Sequence, residues 1–150
     1  MTSLTVDTPT GPVTLTEQDG AIVRCEWGTG GADHSVLLDQ AAGQLAEYFA
    51  GTRQAFDLPL RVNASAFQQQ VCDAISAIPF GHTRTYGDIA RDLGVTAQAV
   101  GQGCGGNPLP ILIPCHRVLG ASGLGGFSGL GGVETKVWLL RHEGAAGLLI

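Results

Sequence analysis

The residues best suited to chemistry sit together in the run Asn107-Pro108-Leu109-Pro110-Ile111-Leu112-Ile113-Pro114-Cys115-His116-Arg117-Val118-Leu119-Gly120. Cys115 is a candidate nucleophile, because a thiolate is strong and soft once its proton is removed by a base or its pKa is lowered. His116 is the adjacent base. Neighbours on a strand point to opposite faces, so contact between the two needs a bend after Pro114 or a bridging water. Glu143 is the best candidate to orient the imidazole, since a catalytic base is normally fixed by a third group. Cysteine proteases and acyltransferases use the same parts. A free cysteine is also commonly a small buried hydrophobe, so the residue types alone leave the reaction open.

The elements around this run must hold it in place. Proline neither donates to a ladder nor continues a helix, and it pushes the preceding residue toward extended backbone. The expectation is an extended, buried rod from Asn107 that ends at Cys115. Before it, Ser65 caps a helix with apolar positions Phe67, Val71, Ile75 and Ile78, closed by Pro79. A short helix follows from about Tyr86 to Leu93 and stops at Gly94. Another starts at Thr96 as N-cap and carries Ala97, Val100 and Cys104. Two short helices around a Gly-containing turn form a helix-turn-helix pattern, although an ordinary helical hairpin shares it. After the rod come a glycine-rich loop from Gly120 to Gly132 and a last helix from Glu134 to His142, carrying Val137, Trp138 and Leu140.

Residues 3–27 read as three strands, with turns at 8–12 and at Gln18-Asp19-Gly20, where Asp-Gly suits a hairpin. Residues 35–49 read as a helix with its stripe on Val36, Leu37, Gln40, Ala41, Leu45 and Phe49, closed by Gly51. The predicted fold class is α/β (α+β). An N-terminal strand and helix domain covers residues 1–61, and a winged helix-turn-helix-like domain covers 62–150. Gly101-Gln102-Gly103-Cys104-Gly105-Gly106 fits G-x-G-x-x-G by spacing but follows a helix, so the dinucleotide reading lacks its strand.

The chain has 150 residues, 44% of them hydrophobic and 14% charged, with net charge −5. Residues 1–60 hold two basic and eight acidic side chains, for −6; residues 61–150 hold six basic and five acidic, for +1. That asymmetry is compatible with a DNA-facing second part. No apolar run is long enough for a membrane span, and the N-terminus has no secretory pattern. Four cysteines without a Cys-x-x-Cys pair read as reduced thiols of a cytoplasmic protein. His34 and His82 lack ligand spacing, so no metal site is expected. Cys25, Cys72 and Cys104 read as core or inert thiols.

Residues 67–143 strongly resemble the O6-alkylguanine-DNA alkyltransferases (methylated-DNA–protein-cysteine methyltransferases). The resemblance is carried by Pro114-Cys115-His116-Arg117-Val118 after Gly106-Asn107-Pro108-Leu109-Pro110-Ile111-Leu112-Ile113. Supporting pieces are Phe67-Gln68-Gln69-Gln70-Val71, Ile78-Pro79-Phe80-Gly81, Thr85-Tyr86, Ala99-Val100-Gly101, and Lys136 with Trp138-Leu139-Leu140 and His142-Glu143-Gly144. It implies a monomer that binds double-stranded DNA and flips out an alkylated guanine. Cys115 then takes the alkyl group from O6 irreversibly and without a cofactor; O4-alkylthymine is a further candidate substrate.

In this family pattern Tyr86 protonates N3 of the leaving base, Asn107 braces the turn, and His116 and Glu143 form a water-linked relay. The Cys115 and Val118 carbonyls accept from the base's exocyclic amine, Ser128 lies near O6, and Lys136 supports the site. The recognition helix enters the minor groove through the small residues Ala97, Ala99, Gly101 and Gly103. Arg117 either makes a salt bridge within the fold or touches a phosphate. Three departures are visible. Gln98 replaces the arginine that fills the hole left by the flipped base, which predicts weaker DNA binding with the chemistry retained. The turn Leu93-Gly94-Val95-Thr96 is about two residues shorter than the family's usual turn. Phe127 stands where many members have tyrosine. Non-catalytic alkyltransferase-like damage-recognition proteins are the alternative reading; they carry another residue, commonly tryptophan, at the reactive position, and Cys115 argues against that class.

Overall fold

The computed structural model describes residues 1–125 and 132–145. The chain divides into two compact units, Met1–Asn63 and Ala64–Ile150.

In the first unit, β1 (Thr2–Val6), β2 (Val13–Gln18) and β3 (Ala21–Trp27) form an antiparallel sheet in that order. Asp19 and Gly20 both have positive φ, as a two-residue type I′ hairpin requires. The core combines Leu4, Val13, Leu15, Ile22 and Cys25 with the buried face of α1 (Val36–Ala50). Ser35 caps α1 by accepting from the Leu38 amide, and Gly51 closes it in the left-handed region. The expected stripe is shifted: Leu38, Ala41, Leu45 and Tyr48 are buried, whereas Val36 is 88% exposed and Gln40 exposed. The helix turns its longer aromatic, Tyr48, to the core, where it meets Phe49 and Phe56, and Gln44 is drawn in by the Asp57 backbone.

In the second unit, Ser65 caps α2 (Ala66–Ser76) through the Gln68 amide. α3 (Tyr86–Leu93) opens on a capping box between Thr85 and Asp88 and ends at Gly94. α4 (Ala97–Gly105) is capped by Thr96, and α5 (Val133–Glu143) ends at Gly144 with φ of 66°. The helix-turn-helix pair is therefore α3 and α4. α4 packs on α2 at Gly103, where a Cβ would stand 2.8 Å from Val71, so the contact needs glycine. The Gly101–Gly106 run is the end of α4 and its cap, not a phosphate loop. Trp138, expected in the core as an apolar position of the last helix, is only half-buried and stacks on His142. Two short strands, β4 (Arg84–Thr85) and β5 (Val118–Leu119), pair in parallel. This ladder lays Tyr86, the first residue of α3, alongside the segment that follows Cys115.

Candidate active site

The segment leading to Cys115 is coiled, not the expected rod. The Leu112 amide donates to the Pro110 carbonyl, Ile113 to Leu109, and Cys115 to Ile113. Ile111 sits at φ of 72°, a strained place for a β-branched residue, held by a side chain that is 1% exposed. Pro114, at φ −80° and ψ 66°, centres an inverse γ-turn. The physical reason is that residues 109 and 111–118 are buried. Their amides need acceptors, and an isolated extended rod supplies none. The coil leads into a single 3-10 turn, Cys115–Arg117, so the nucleophile and its base occupy a tight helical turn instead of opposite faces of a strand. Asn107 braces the coil from outside: its Nδ2 donates to the Ile113 carbonyl at 2.8 Å and its Oδ1 accepts from the Leu109 amide at 3.0 Å.

Behind the turn is a buried polar centre on Glu143, at the end of α5. His116 Nε2 lies 2.7 Å from Glu143 Oε2. Arg117 donates to both oxygens, Nε to Oε1 at 2.8 Å and Nη2 to Oε2 at 3.0 Å, while its Nη1 donates to the Ile78 carbonyl. One guanidinium balances one carboxylate, so the imidazole need not carry charge. Burial lowers the His116 pKa below its ordinary value, partly opposed by Glu143. The carboxylate therefore fixes the neutral tautomer with its proton on Nε2. The lone pair is on Nδ1, a buried atom with no hydrogen-bond partner among the described residues. That is the geometry of an oriented general base.

Cys115 is 6% exposed. Burial pushes its thiol up to about 11, against the pull of an Asn107 hydrogen bond and the Lys136 charge. At neutral pH the sulfur is thus a thiol, and it needs a proton acceptor to react. Lys136 is fully buried; its Nζ donates to the Val118 carbonyl at 2.7 Å and lies 5.7 Å from the Tyr86 ring centre. Burial lowers the lysine pKa, and the nearby Cys115 and Cys104 raise it. Tyr86 is pushed up to about 12 by burial, then by Cys104 and Cys115, so its hydroxyl keeps its proton. The Gly125 backbone approaches that ring so closely that a Cβ would meet it at 2.8 Å. The Val118 and Cys115 carbonyls each accept one bond already, from Lys136 and from the Val118 amide. Each keeps a second lone pair.

The start of α4 is of a different kind. Ala97 and Gln98 are exposed, Ala99 and Gly101 are half-buried, and a Cβ on Gly101 would meet nothing within 4 Å.

Residues 66–145 match the sequence profile of the 6-O-methylguanine DNA methyltransferase DNA binding domain, just over half the chain. The chain belongs to this family. A methylated-DNA–protein-cysteine methyltransferase of Mycolicibacterium paratuberculosis is 40% identical over 93% of this chain and 90% of its own. The constitutive enzyme of that name from Bacillus subtilis is 39% identical over 93% of both chains. Among solved structures, Mycobacterium tuberculosis OGT in complex with DNA superposes with a TM-score of 0.87 at 39% identity, covering 96% of this chain and 93% of that one.

In this member of the methyltransferase family, Cys115, His116, Glu143, Asn107, Tyr86, Val118 and Lys136 come together in the second unit. Arg117 takes the first of the two roles open to it: it is 6% exposed and bonded to Glu143 and the Ile78 carbonyl, so it faces the fold and not a phosphate. Ala97, Gln98, Ala99 and Gly101 share the α4 surface. Ser128 and Phe127 lie outside the described residues. Sequence reasoning placed Glu143 on His116, as found, but missed that the same carboxylate is the partner of Arg117. It also missed the electrostatic proximity of Cys72 and Cys104 to Cys115.

Proposed function

We propose that this protein repairs DNA by direct reversal of alkylation damage, as a single-use methylated-DNA–protein-cysteine methyltransferase. The observation that carries the reading is a buried thiol in the same tight turn as a histidine whose tautomer is fixed by a carboxylate, within a chain of this family. The substrate is a guanine alkylated at O6 in double-stranded DNA, flipped out to reach Cys115. O4-alkylthymine is a second substrate of the same type.

His116 removes the Cys115 proton at Nδ1, through the bridging water that the family resemblance implies. The sulfur attacks the alkyl carbon, a C–S bond forms, and the C–O6 bond breaks with its electron pair going to the base. Tyr86 donates its proton to N3 of the departing guanine. Lys136 stabilises the developing thiolate. The Cys115 and Val118 carbonyls receive the exocyclic amine, and the family resemblance assigns Ser128 to O6. The thioether has no leaving group, so each molecule reacts once.

Ala97, Ala99 and Gly101 allow α4 close to the minor groove, and Gln98 occupies the space of the flipped base without adding charge. Residues 62–150 form the DNA-binding and alkyl-transfer domain, and residues 1–61 the accessory strand and helix domain. Among the described residues no helix is long and apolar enough to cross a membrane. The cytoplasm is the proposed location, with the protein acting as a monomer.

The test is intact-protein mass after incubation with a duplex carrying one O6-methylguanine, beside Cys115→Ala. The expected result is a stoichiometric gain of about 14 Da, one methylene, absent from the variant. No gain in a protein that still binds the lesion would overturn the proposal.

A further inference from the structure

The Asn107 amide beside the nucleophile is itself held by a second layer that no family role covers. Its oxygen faces two donors, the Leu109 amide at 3.0 Å and Cys72 Sγ at 3.9 Å. Its nitrogen donates to the Ile113 carbonyl at 2.8 Å, and the same side chain makes the hydrogen bond that favours the Cys115 thiolate. An amide turned the other way would present oxygen to a carbonyl and to a thiolate. The orientation of Asn107 is thus what makes it a donor to sulfur.

Cys72 lies on α2, is 1% exposed, and is oriented from the other side by Gln68. Gln68 Nε2 is 3.4 Å from Cys72 Sγ and also donates to the Gly103 carbonyl of α4 at 2.8 Å. A thiol that accepts from Gln68 directs its own hydrogen onward, toward Asn107 Oδ1. Burial, reinforced by Asp73, raises the Cys72 pKa, so it holds that hydrogen at neutral pH.

We propose that Gln68 and Cys72 are positioning residues for alkyl transfer, acting through the donor chain Gln68–Cys72–Asn107 to keep an amide N–H directed at Cys115 Sγ. The inference rests on Cys115 being the nucleophile. It changes the status of Cys72, which by residue type is an inert core thiol.

The test separates this chain from the repair reading itself. Carbamoylmethylation of Cys115 by iodoacetamide, followed by peptide mass, reports thiolate formation with no DNA present. Its rate is measured across pH for the wild type, Cys72→Ala, Cys72→Ser and Gln68→Ala. Cys72→Ala and Gln68→Ala are expected to slow Cys115 labelling about threefold to tenfold at each pH. Cys72→Ser, which keeps both a donor and an acceptor, restores the wild-type profile. Gln68 is half-buried, so its variant guards against a folding defect at Cys72. Unchanged Cys115 labelling in folded Cys72→Ala and Gln68→Ala overturns the proposal. So does an equal loss in Cys72→Ser, which would indicate packing alone. Failure of methyl transfer from DNA with the labelling differences intact would instead count against the repair function.

Discussion

The turn that carries Cys115 and the exposed start of α4 belong to one unit and are built in opposite ways. Around Cys115 the polar groups are buried and bonded to one another: Glu143 holds both His116 and Arg117, Lys136 holds the Val118 carbonyl, and Asn107 spans the coil. Along α4 the outward positions are small or neutral, and Gln98 is exposed. The contrast teaches that the chemistry depends on pre-set geometry in a low-dielectric interior. Recognition depends instead on leaving room for a partner. Substitutions that unpair a buried group in the first region therefore cost both stability and rate, whereas those in the second alter affinity alone.

The largest expected effect comes from Glu143→Gln, which leaves Arg117 buried without its counter-charge and replaces one of the two oxygens that His116 and Arg117 share by an NH2 donor. Urea unfolding should show a loss of about 3–5 kcal/mol. Methyl transfer by the folded fraction should slow by about 10²-fold or more. Retained stability would break the claim that this centre is structural as well as chemical. Next is Tyr86→Phe. Its ring packs under Gly125 and beside Lys136, so the fold should persist while single-turnover transfer slows by about 10-fold to 10²-fold with lesion affinity kept. The smallest effect is at α4: Gln98→Arg should tighten binding to lesion-bearing duplex several-fold, raise the salt slope by about one, and leave the transfer step unchanged. A changed transfer rate at saturating DNA would blur the proposed division between the regions.

The sequence made much of this legible, and unevenly. Helix ends were readable because capping is local: Ser65 and Thr96 cap their helices as expected, and Gly51, Gly94 and Gly144 close theirs, while the caps at Ser35 and Thr85 were not singled out. Strands β2 and β3 were readable from alternation and the Asp19-Gly20 turn. The coil before Cys115 was not. Proline rules describe what each residue disfavours, but three γ- and α-type turns follow from where buried amides find acceptors, which is a property of the folded surroundings. The face of α1 was missed by about one residue because Val36 is apolar yet exposed at the first turn. For the site, Cys115 and His116 were apparent as neighbours. The meeting of Glu143 with Arg117, 26 positions apart, has no local signature, nor does the approach of Cys72 to Asn107 across 35.

The central claim is that a thiol which burial holds near 11 is made reactive by His116, itself kept neutral with its lone pair on Nδ1. Single-turnover methyl transfer measured against pH, for the wild type and His116→Ala, tests it directly. Moving a proton from Cys115 to His116 changes no net protonation. The wild-type rate should therefore be flat from about pH 7 to about pH 9, falling only below the ordinary histidine range as the imidazole charges. His116→Ala must lose its thiol proton to solvent, so its slower rate should climb about tenfold per pH unit. A wild-type rate that itself climbs tenfold per unit over this range would contradict the relay and leave Cys115 to ionise unaided.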